Sequence, residues 1–240
     1  LLASLGLKEG DRGLAEYLLF LGENELWALA QVLSEHAEAF ASLARSRAEE
    51  GGKKRKAKGD ELPREALEAL ERAFAPNLEV ALFGRMLADR KDLEVEGALS
   101  VAHAVGVTAD PIEEDYFTAL DDILQQAGMI ESRGFSAPTL YRYALVNLDR
   151  LAELVGKERG LLGVEAVLRG FPFALPRGGE RGFAHFGEPE AVLVRVGRGL
   201  PRSLVKAFAK PVDGEGHPAE EELKRLLWYW ERLDGLYGPL

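Results

Sequence analysis

Between Gly97 and Val107 large and small residues alternate without interruption. Leu99, Val101, His103, Val105 and Val107 fall on one side of an extended backbone, and Ala98, Ser100, Ala102, Ala104 and Gly106 on the other. A period of two marks a strand, because successive side chains point to opposite faces. The small-residue face sets a second condition, since only a helix or another backbone approaching closely can pack against it without leaving voids. His103 is the one polar member of the large face. It is either a satisfied buried histidine or a contact to a ligand's phosphate or base.

Neighbouring runs supply what surrounds this strand. LEVALF (78–83) reads as an earlier strand, followed by the turn Gly84-Arg85-Met86. TLYRYALVNL (139–148) alternates Tyr141, Tyr143 and Leu145 against Arg142, Ala144 and Val146, and turns at Asp149 into a helix through Val155. AVLVRV (191–196) reads as a further strand. Helical spacing of three and four appears over 14–48, where Leu26, Leu29, Ala30, Leu33, Ala37, Phe40 and Ala44 share a face and Asn24 is placed as N-cap. A second helix is predicted after Asp60, with Pro63 in its first turn, Leu62, Ala66, Leu67, Leu70 and Phe74 on one face, and Pro76 at its end. Further helices are predicted over 158–171, 200–210 and 218–238. The last has Leu223, Leu226, Leu227, Trp230 and Leu233 inward, and its WYW reads as core packing. Strand-period and helix-period runs mixed in this way give an α+β fold class.

With 240 residues and 47% hydrophobic content, the chain can bury the core of one large domain or two small ones. It has no cysteine, which excludes disulfides and thiolate metal sites and favours an intracellular location. No apolar run approaches the roughly 20 residues of a membrane helix. The net charge of −10 alone argues against nucleic acid, but the charge is uneven. From Asp60 to Asp122 there are 16 acidic residues against 5 basic, and from Arg177 to Lys210 there are 7 basic against 3 acidic. Such asymmetry allows a basic groove on an acidic body. EEGGKKRKAKGD (49–60) holds five cations between Lys53 and Lys58, and is either a phosphate contact or a solvated loop.

The residue types that carry chemistry are sparse. Arg85, Arg90 and Lys91 form a small cationic cluster, and Met86 is either a core plug or an apolar wedge able to enter a base stack. Asp110, Glu113, Glu114, Asp115, Asp121 and Asp122 surround a turn with no spaced His or Lys partner, which fits a solvated hairpin better than a metal site. Tyr116 and Phe117, in the middle of those carboxylates, fit a surface that stacks on a base or docks on a neighbour. Residues 173–190 are rich in Gly, Pro and Arg, and Arg177 and Arg181 there read either as a phosphate-tracking loop or as plain surface. No nucleophile triad, metal motif or phosphate-binding loop is present, and no cofactor is called for.

These blocks together resemble a known family. LLFLGENELWALA, LEVALFGRM, VEGALSVAHAV, EEDYFTALDD, RGFSAPTLYRYALVNLDRL, AVLVRVGRGLPRSLVKAF and LWYWERLDGLYG are similar, in order, to the repeated backbone subunit (the CasC family) of the type I-E CRISPR Cascade complex. The resemblance implies a modified RRM (ferredoxin-like) palm, a helical fingers insertion and a protruding thumb hairpin. It further implies that the palm's first strand and the extreme C-terminus lie outside this sequence, which starts at Leu1. On that basis residues 1–76 are the fingers region, 77–109 palm strands with the GRM turn, 110–134 the thumb, and 135–240 the rest of the palm with C-terminal helices.

The resemblance also implies a role. The protein would be a noncatalytic, cytoplasmic CRISPR RNA-binding subunit, away from any membrane, that stacks head to tail with its own copies along the guide. The guide would be displayed for pairing with a target DNA strand, alongside the large, small and end-capping Cascade subunits. Met86 would sit at the guide kink, with Phe117 and Thr118 as thumb contacts. Arg85, Lys91, His103, Arg177 and Arg181 complete the expected RNA-binding set, although PRGGERG departs from the family's GK-rich loop around the last two. Two other readings stay open on the residues alone: a metal-dependent nuclease using Asp115, Asp121 and Asp122 with His103, and a helical protein-interaction module whose basic loop is incidental.

Overall fold

The computed structural model describes residues 7, 8, 10, 14–49, 62–121, 123, 126–213 and 218–239. Helices and small sheets mix in an α+β architecture that divides into two compact units. The first comprises Leu1–Ser100 and Val146–Phe171, and the second Val101–Leu145 and Pro172–Leu240. The basic run 53–58 and the predicted cap Asp60 lie outside the described residues.

In the first unit the helix predicted over 14–48 starts later and is broken. It consists of α1 (Glu23–Glu35) and α2 (Ala37–Glu49), interrupted at His36. The N-cap is Gly22 rather than Asn24, and the Glu25 carboxylate accepts from the Gly22 N–H at 2.9 Å. The buried stripe of α1 runs through Glu25, Leu29 and Val32, so Leu26, expected inside, is exposed. Helix α3 (Arg64–Ala73) follows Pro63, with Leu62, Ala66, Leu70 and Phe74 buried as expected and Leu67 turned outward. These residues join Leu29, Val32, Leu43 and Leu87 in one core cluster.

LEVALF is a helix, not a strand. Asn77 caps α4 (Leu78–Phe83) by accepting the Val80 N–H at 2.9 Å, and Gly84, at φ 79°, ends it. A six-residue apolar run has no periodicity long enough to separate helix from strand, and the cap decides the matter here. Val80, Ala81 and Leu82 are buried. A second cluster forms where Ala81, Leu82 and Ala98 meet Leu151 of α5 (Leu148–Val155) and, at its edge, Val164 and Val167 of α6 (Lys157–Gly170). Helix α5 starts at Leu148, capped by Asn147, whose side chain accepts the Arg150 N–H at 3.0 Å.

The strand predicted over 97–107 is interrupted. It forms β1 (Leu99–Val101) and β2 (Val105–Gly106), and the run 139–148 is interrupted to match as β5 (Leu140–Tyr141) and β6 (Ala144–Val146). The two runs pair twice, β1 with β6 and β2 with β5, and the Ala102 N–H reaches the Tyr143 carbonyl at 2.9 Å across the gap. In the second unit Val107 and Val212 are both buried, and the Val212 N–H donates to the Val107 carbonyl at 2.7 Å.

Residues 113–121 and 126–135 form a separate antiparallel hairpin, β3 (Glu113–Asp121) with β4 (Gln126–Phe135). Its ladder skips one residue of β4 after Ala119 pairs with Met129. Every described side chain from 109 to 137 is exposed, so the ribbon is buried on neither face.

Three further expectations are corrected in this unit. AVLVRV joins no sheet, and Val192, Leu193, Val194 and Val196 are exposed. Strand propensity expresses a fit to a pleated, half-buried surface, and this run has no ladder partner among the described residues. The helix predicted over 200–210 shrinks to a short 3-10 turn, Val205–Phe208. Helix α8 (Pro218–Tyr237) forms as expected, but Leu223, Leu227 and Trp228 are exposed, while Leu226, Trp230 and Leu233 are half-buried.

Candidate functional site

Arg85 was expected on a ligand surface and is buried. Its side chain is 1% exposed and lies 2.6 Å from Glu25, which is equally buried. Nη1 donates to Glu25 Oε1, Nε to the Leu93 carbonyl at 3.0 Å, and Nη2 to the Phe74 carbonyl at 3.3 Å. Its guanidinium also sits 5.2 Å over the Phe74 ring. The backbone of Arg85 exchanges hydrogen bonds with Val95 at 2.8 and 2.9 Å, closing a loop from 85 to 95. Arg85 is thus the fastener of that loop and is not available to a ligand.

Met86, the next residue, is 84% exposed, so the core-plug alternative fails and an apolar prong stands beside the fastened turn. Of the three cations read as a cluster, Arg85 is consumed by Glu25. Arg90 is held by Asp92 at 2.8 Å, a hydrogen bond that raises the guanidinium pKa and lowers that of the Asp92 carboxyl. Lys91 remains exposed at the loop's short 3-10 turn, Lys91–Leu93. His103 is exposed as well, which overturns the buried-histidine alternative.

Strand alternation divides the hairpin residues between two faces. Phe117 shares one face with Asp115 and Ala119 and with the cross-strand residues Glu131, Arg133 and Met129. Thr118 lies on the other, with Tyr116, Ser132 and Ile130. Phe117 and Thr118 therefore cannot press on the same side of one nucleotide, and the second face carries its own apolar pair, Tyr116 and Ile130. At the hairpin base, Thr108 Oγ1 accepts the Thr139 N–H at 3.1 Å and Asp110 accepts the Ala137 N–H.

Among the described residues, the carboxylates that a metal site would need do not gather. Asp115 and Asp121 are six residues apart on one strand, about 20 Å at the usual rise. Asp122 lies outside the described residues, among which no group of three or more His, Asp or Glu could hold a metal ion.

The basic stretch 177–210 separates into two kinds of arginine. Asp234 takes Arg195 at 3.1 Å and Arg202 at 2.9 Å, and accepts the Trp230 indole N–H at 2.7 Å. Arg202 also donates to the Gly238 carbonyl at the end of α8. Arg177 and Arg181 are exposed and have no ion-pair partner among the described residues.

Desolvation pushes the Asp234 carboxyl up, but the Trp230 hydrogen bond, the Arg195 hydrogen bond and both arginine charges outweigh it and hold the pKa below the usual carboxylate value. A carboxylate with a lowered folded pKa contributes stability above its unfolded pKa, about 3.9, and loses it as the pH falls through the lower folded value. The anchoring of α8 is therefore expected to hold at neutral pH and to loosen only in acid below about pH 4. Trp230 emission followed through an acid titration checks this. The transition should vanish in Asp234→Asn, and a transition centred near neutrality would refute the assignment.

Glu25, Arg133 and Asp234 escaped the sequence reading, and Phe183 entered it only as part of the 173–190 loop. The signal for Glu25 was local, a carboxylate three residues after a glycine at a helix start. The other three act through contacts distant in sequence and left no local mark.

A family model described as "CT1975-like protein" matches residues 2–240. The chain belongs to the CT1975-like protein family. Among solved structures, a chain described as "CRISPR RNA-guided surveillance complex, pre-nicking" is similar at 31% identity and TM-score 0.75, over 96% of this chain and 61% of its own length. A second, described as "CRISPR RNA-guided surveillance complex", is 35% identical with TM-score 0.58, over 67% of this chain and 64% of its own. This chain thus spans less than two thirds of either solved chain. No curated protein matches it significantly. Among the described residues, no helix of this CT1975-like chain is long and apolar enough to cross a membrane.

Proposed function

We propose that this protein is a noncatalytic CRISPR RNA-binding backbone subunit of a surveillance complex of the type I-E Cascade kind, equivalent to the CasC subunit. It binds guide RNA without reading its sequence, associates with further copies of itself, and leaves the guide free to pair with a target DNA strand. Its palm is RRM-like, its fingers are helical, and its other neighbours are the large, small and end-capping subunits of a cytoplasmic complex. The observation that carries the reading is the β3–β4 hairpin, exposed on both faces and lined by Phe117, Tyr116 and Ile130. A two-stranded ribbon is marginal in water unless something covers it. Family membership and the two surveillance-complex likenesses support a guide and a neighbouring subunit as that cover.

Phosphate contacts supply sequence-independent affinity, apolar wedges supply the kink, and base pairing reads the target. The test uses the full-length protein and a single-stranded guide RNA. Binding should weaken steeply with salt and leave the RNA intact, and Phe117→Ala should cost about 1–3 kcal/mol, the value of one base–aromatic stack. Met86→Ala should weaken the kink, read as lost fluorescence of 2-aminopurine in the guide, with the fold preserved by circular dichroism. Full-length protein that leaves RNA unbound at low salt, or cleaves it in a metal-dependent way, would end this reading.

A further inference from the structure

The loop 173–186 is fastened to the foot of the hairpin by an aromatic stack. Phe183, at the end of the short helix α7 (Glu180–Phe183), stacks on Phe135 of β4, with ring centroids 5.7 Å apart and planes at 24°. The Arg133 guanidinium lies over the other part of this contact, 4.4 Å from the Phe183 centroid. It also crosses the loop backbone, since a Cβ built on Gly179 would come within 3.3 Å of Nη2 and one on Gly182 within 3.5 Å of Nη1. The chain reverses on both sides of α7 through Gly179 (φ 76°) and Ala184 (φ 47°), the latter an unusual conformation for a residue with a side chain. His185 braces the loop by a 2.7 Å contact from Nε2 to the Pro176 carbonyl.

This docking brings Arg133 to the loop that carries Arg177 and Arg181. All three are exposed, and none has a carboxylate within ion-pair distance among the described residues. That differs from Arg195 and Arg202, which Asp234 neutralises. Guanidinium groups on a glycine-rich backbone, in no ion pair among the described residues and with the loop held by stacking, match phosphate oxygens. We propose that Arg133, Arg177 and Arg181 form one composite site for a single-stranded phosphodiester backbone at the foot of the hairpin, and that Phe183 is the positioning residue that holds the loop half of the site against the strand half. The site rests on the nucleic-acid-binding reading above and adds to it: the hairpin would be loaded from its base, with phosphates held where the strand meets the wedge.

The bound strand could be guide RNA or target DNA, which share this chemistry, so the test has two arms. In the full-length protein, Arg177→Gln/Arg181→Gln is compared with wild type for salt dependence of guide RNA binding. The same pair is compared for capture of single-stranded target DNA by the assembled complex. Each phosphate contact contributes about 0.7 to the slope of log affinity against log salt for single strands, so the double variant should lower one slope by about 1.4. A fall in the RNA arm assigns the site to the guide, and a fall in the DNA arm assigns it to the target. Unchanged slopes in both arms overturn the proposal, even where wild-type protein binds RNA well and the function proposed above stands. Phe183→Ala should lower the same slope with every arginine retained, and Phe183→Tyr should restore it. A purely structural role would instead lower stability and leave the slope alone. Phe117→Ala should reduce affinity without moving the slope, which separates the wedge from the phosphate site.

Discussion

Arg85→Ala is expected to destabilise the protein by about 3–5 kcal/mol, the usual cost of leaving one member of a buried ion pair without its partner. Both side chains are 1% exposed, so water cannot replace the missing guanidinium. The loss extends beyond one contact. Glu25 would keep only its bond from the Gly22 N–H, while the Phe74 and Leu93 carbonyls would lose their donor. The three acceptors come from the start of α1, the end of α3 and the loop behind the GRM turn, so a single guanidinium ties three segments together. Domains are stable by only about 5–15 kcal/mol, and the variant should therefore be partly unfolded at modest urea. Arg85→Lys should recover little, because an ammonium cannot reproduce a planar fork that serves a carboxylate and two carbonyls. The double replacement Glu25→Leu/Arg85→Met should recover much of the loss, since it removes both charges and fills the space. Urea denaturation of the four proteins measures all of this. An Arg85→Ala loss under about 1 kcal/mol, the range of an exposed pair, would mean that water reaches the site and that the fastener assignment is wrong.

The same residue shows where the sequence was readable and where it was not. The mixture of periods gave the α+β class, and the acidic, aromatic composition of 110–122 marked it as an exposed hairpin or loop, of which the hairpin forms. Side-chain roles within those elements were harder. An arginine next to an exposed methionine reads as a surface cation, and nothing adjacent in sequence announces a buried glutamate 60 residues earlier. The helical face of α1 differs for a related reason: the expected stripe began at Leu26, whereas Glu25, paired with Arg85, takes the buried place.

Short apolar runs failed in both directions. LEVALF became a helix because Asn77 and Gly84 cap its two ends, and AVLVRV stayed out of every sheet because β structure needs a partner strand that a local run cannot provide. The candidate site followed the same division. Met86, Phe117 and Thr118 lay in local motifs that made them nameable as candidates, and all three are exposed. Arg133 and Phe183 matter through a stack between residues 135 and 183, and that contact leaves no mark in either segment alone. The register added a fact that no motif carried, namely that Phe117 and Thr118 face opposite ways.

Gly97→Ala is the second substitution expected to be severe, at about 3 kcal/mol, the upper part of the range for overpacking a filled core. A Cβ at this position would lie 2.5 Å from the Leu82 carbonyl oxygen, 2.6 Å from the Gly84 nitrogen and 2.7 Å from the Phe83 carbonyl carbon. All three are backbone atoms, so no side chain can swing aside to relieve the clash. The close approach is made by the end of α4 and the turn that leads to Met86. Gly156 provides the control. Its φ is 82°, but a Cβ there would meet nothing within 4 Å, so Gly156→Ala tests backbone conformation alone, with an expected loss of about 1–2 kcal/mol. Gly84 combines both conditions, with φ 79° and a Cβ position 2.8 Å from the Val95 carbonyl oxygen, and its alanine variant should lose at least as much as either. Thermal and urea unfolding of the three variants rank them directly. If Gly156→Ala proved the costlier of the first two, backbone conformation would be the governing constraint, and the steric account of how α4 and the GRM turn are held against Gly97 would have to be abandoned.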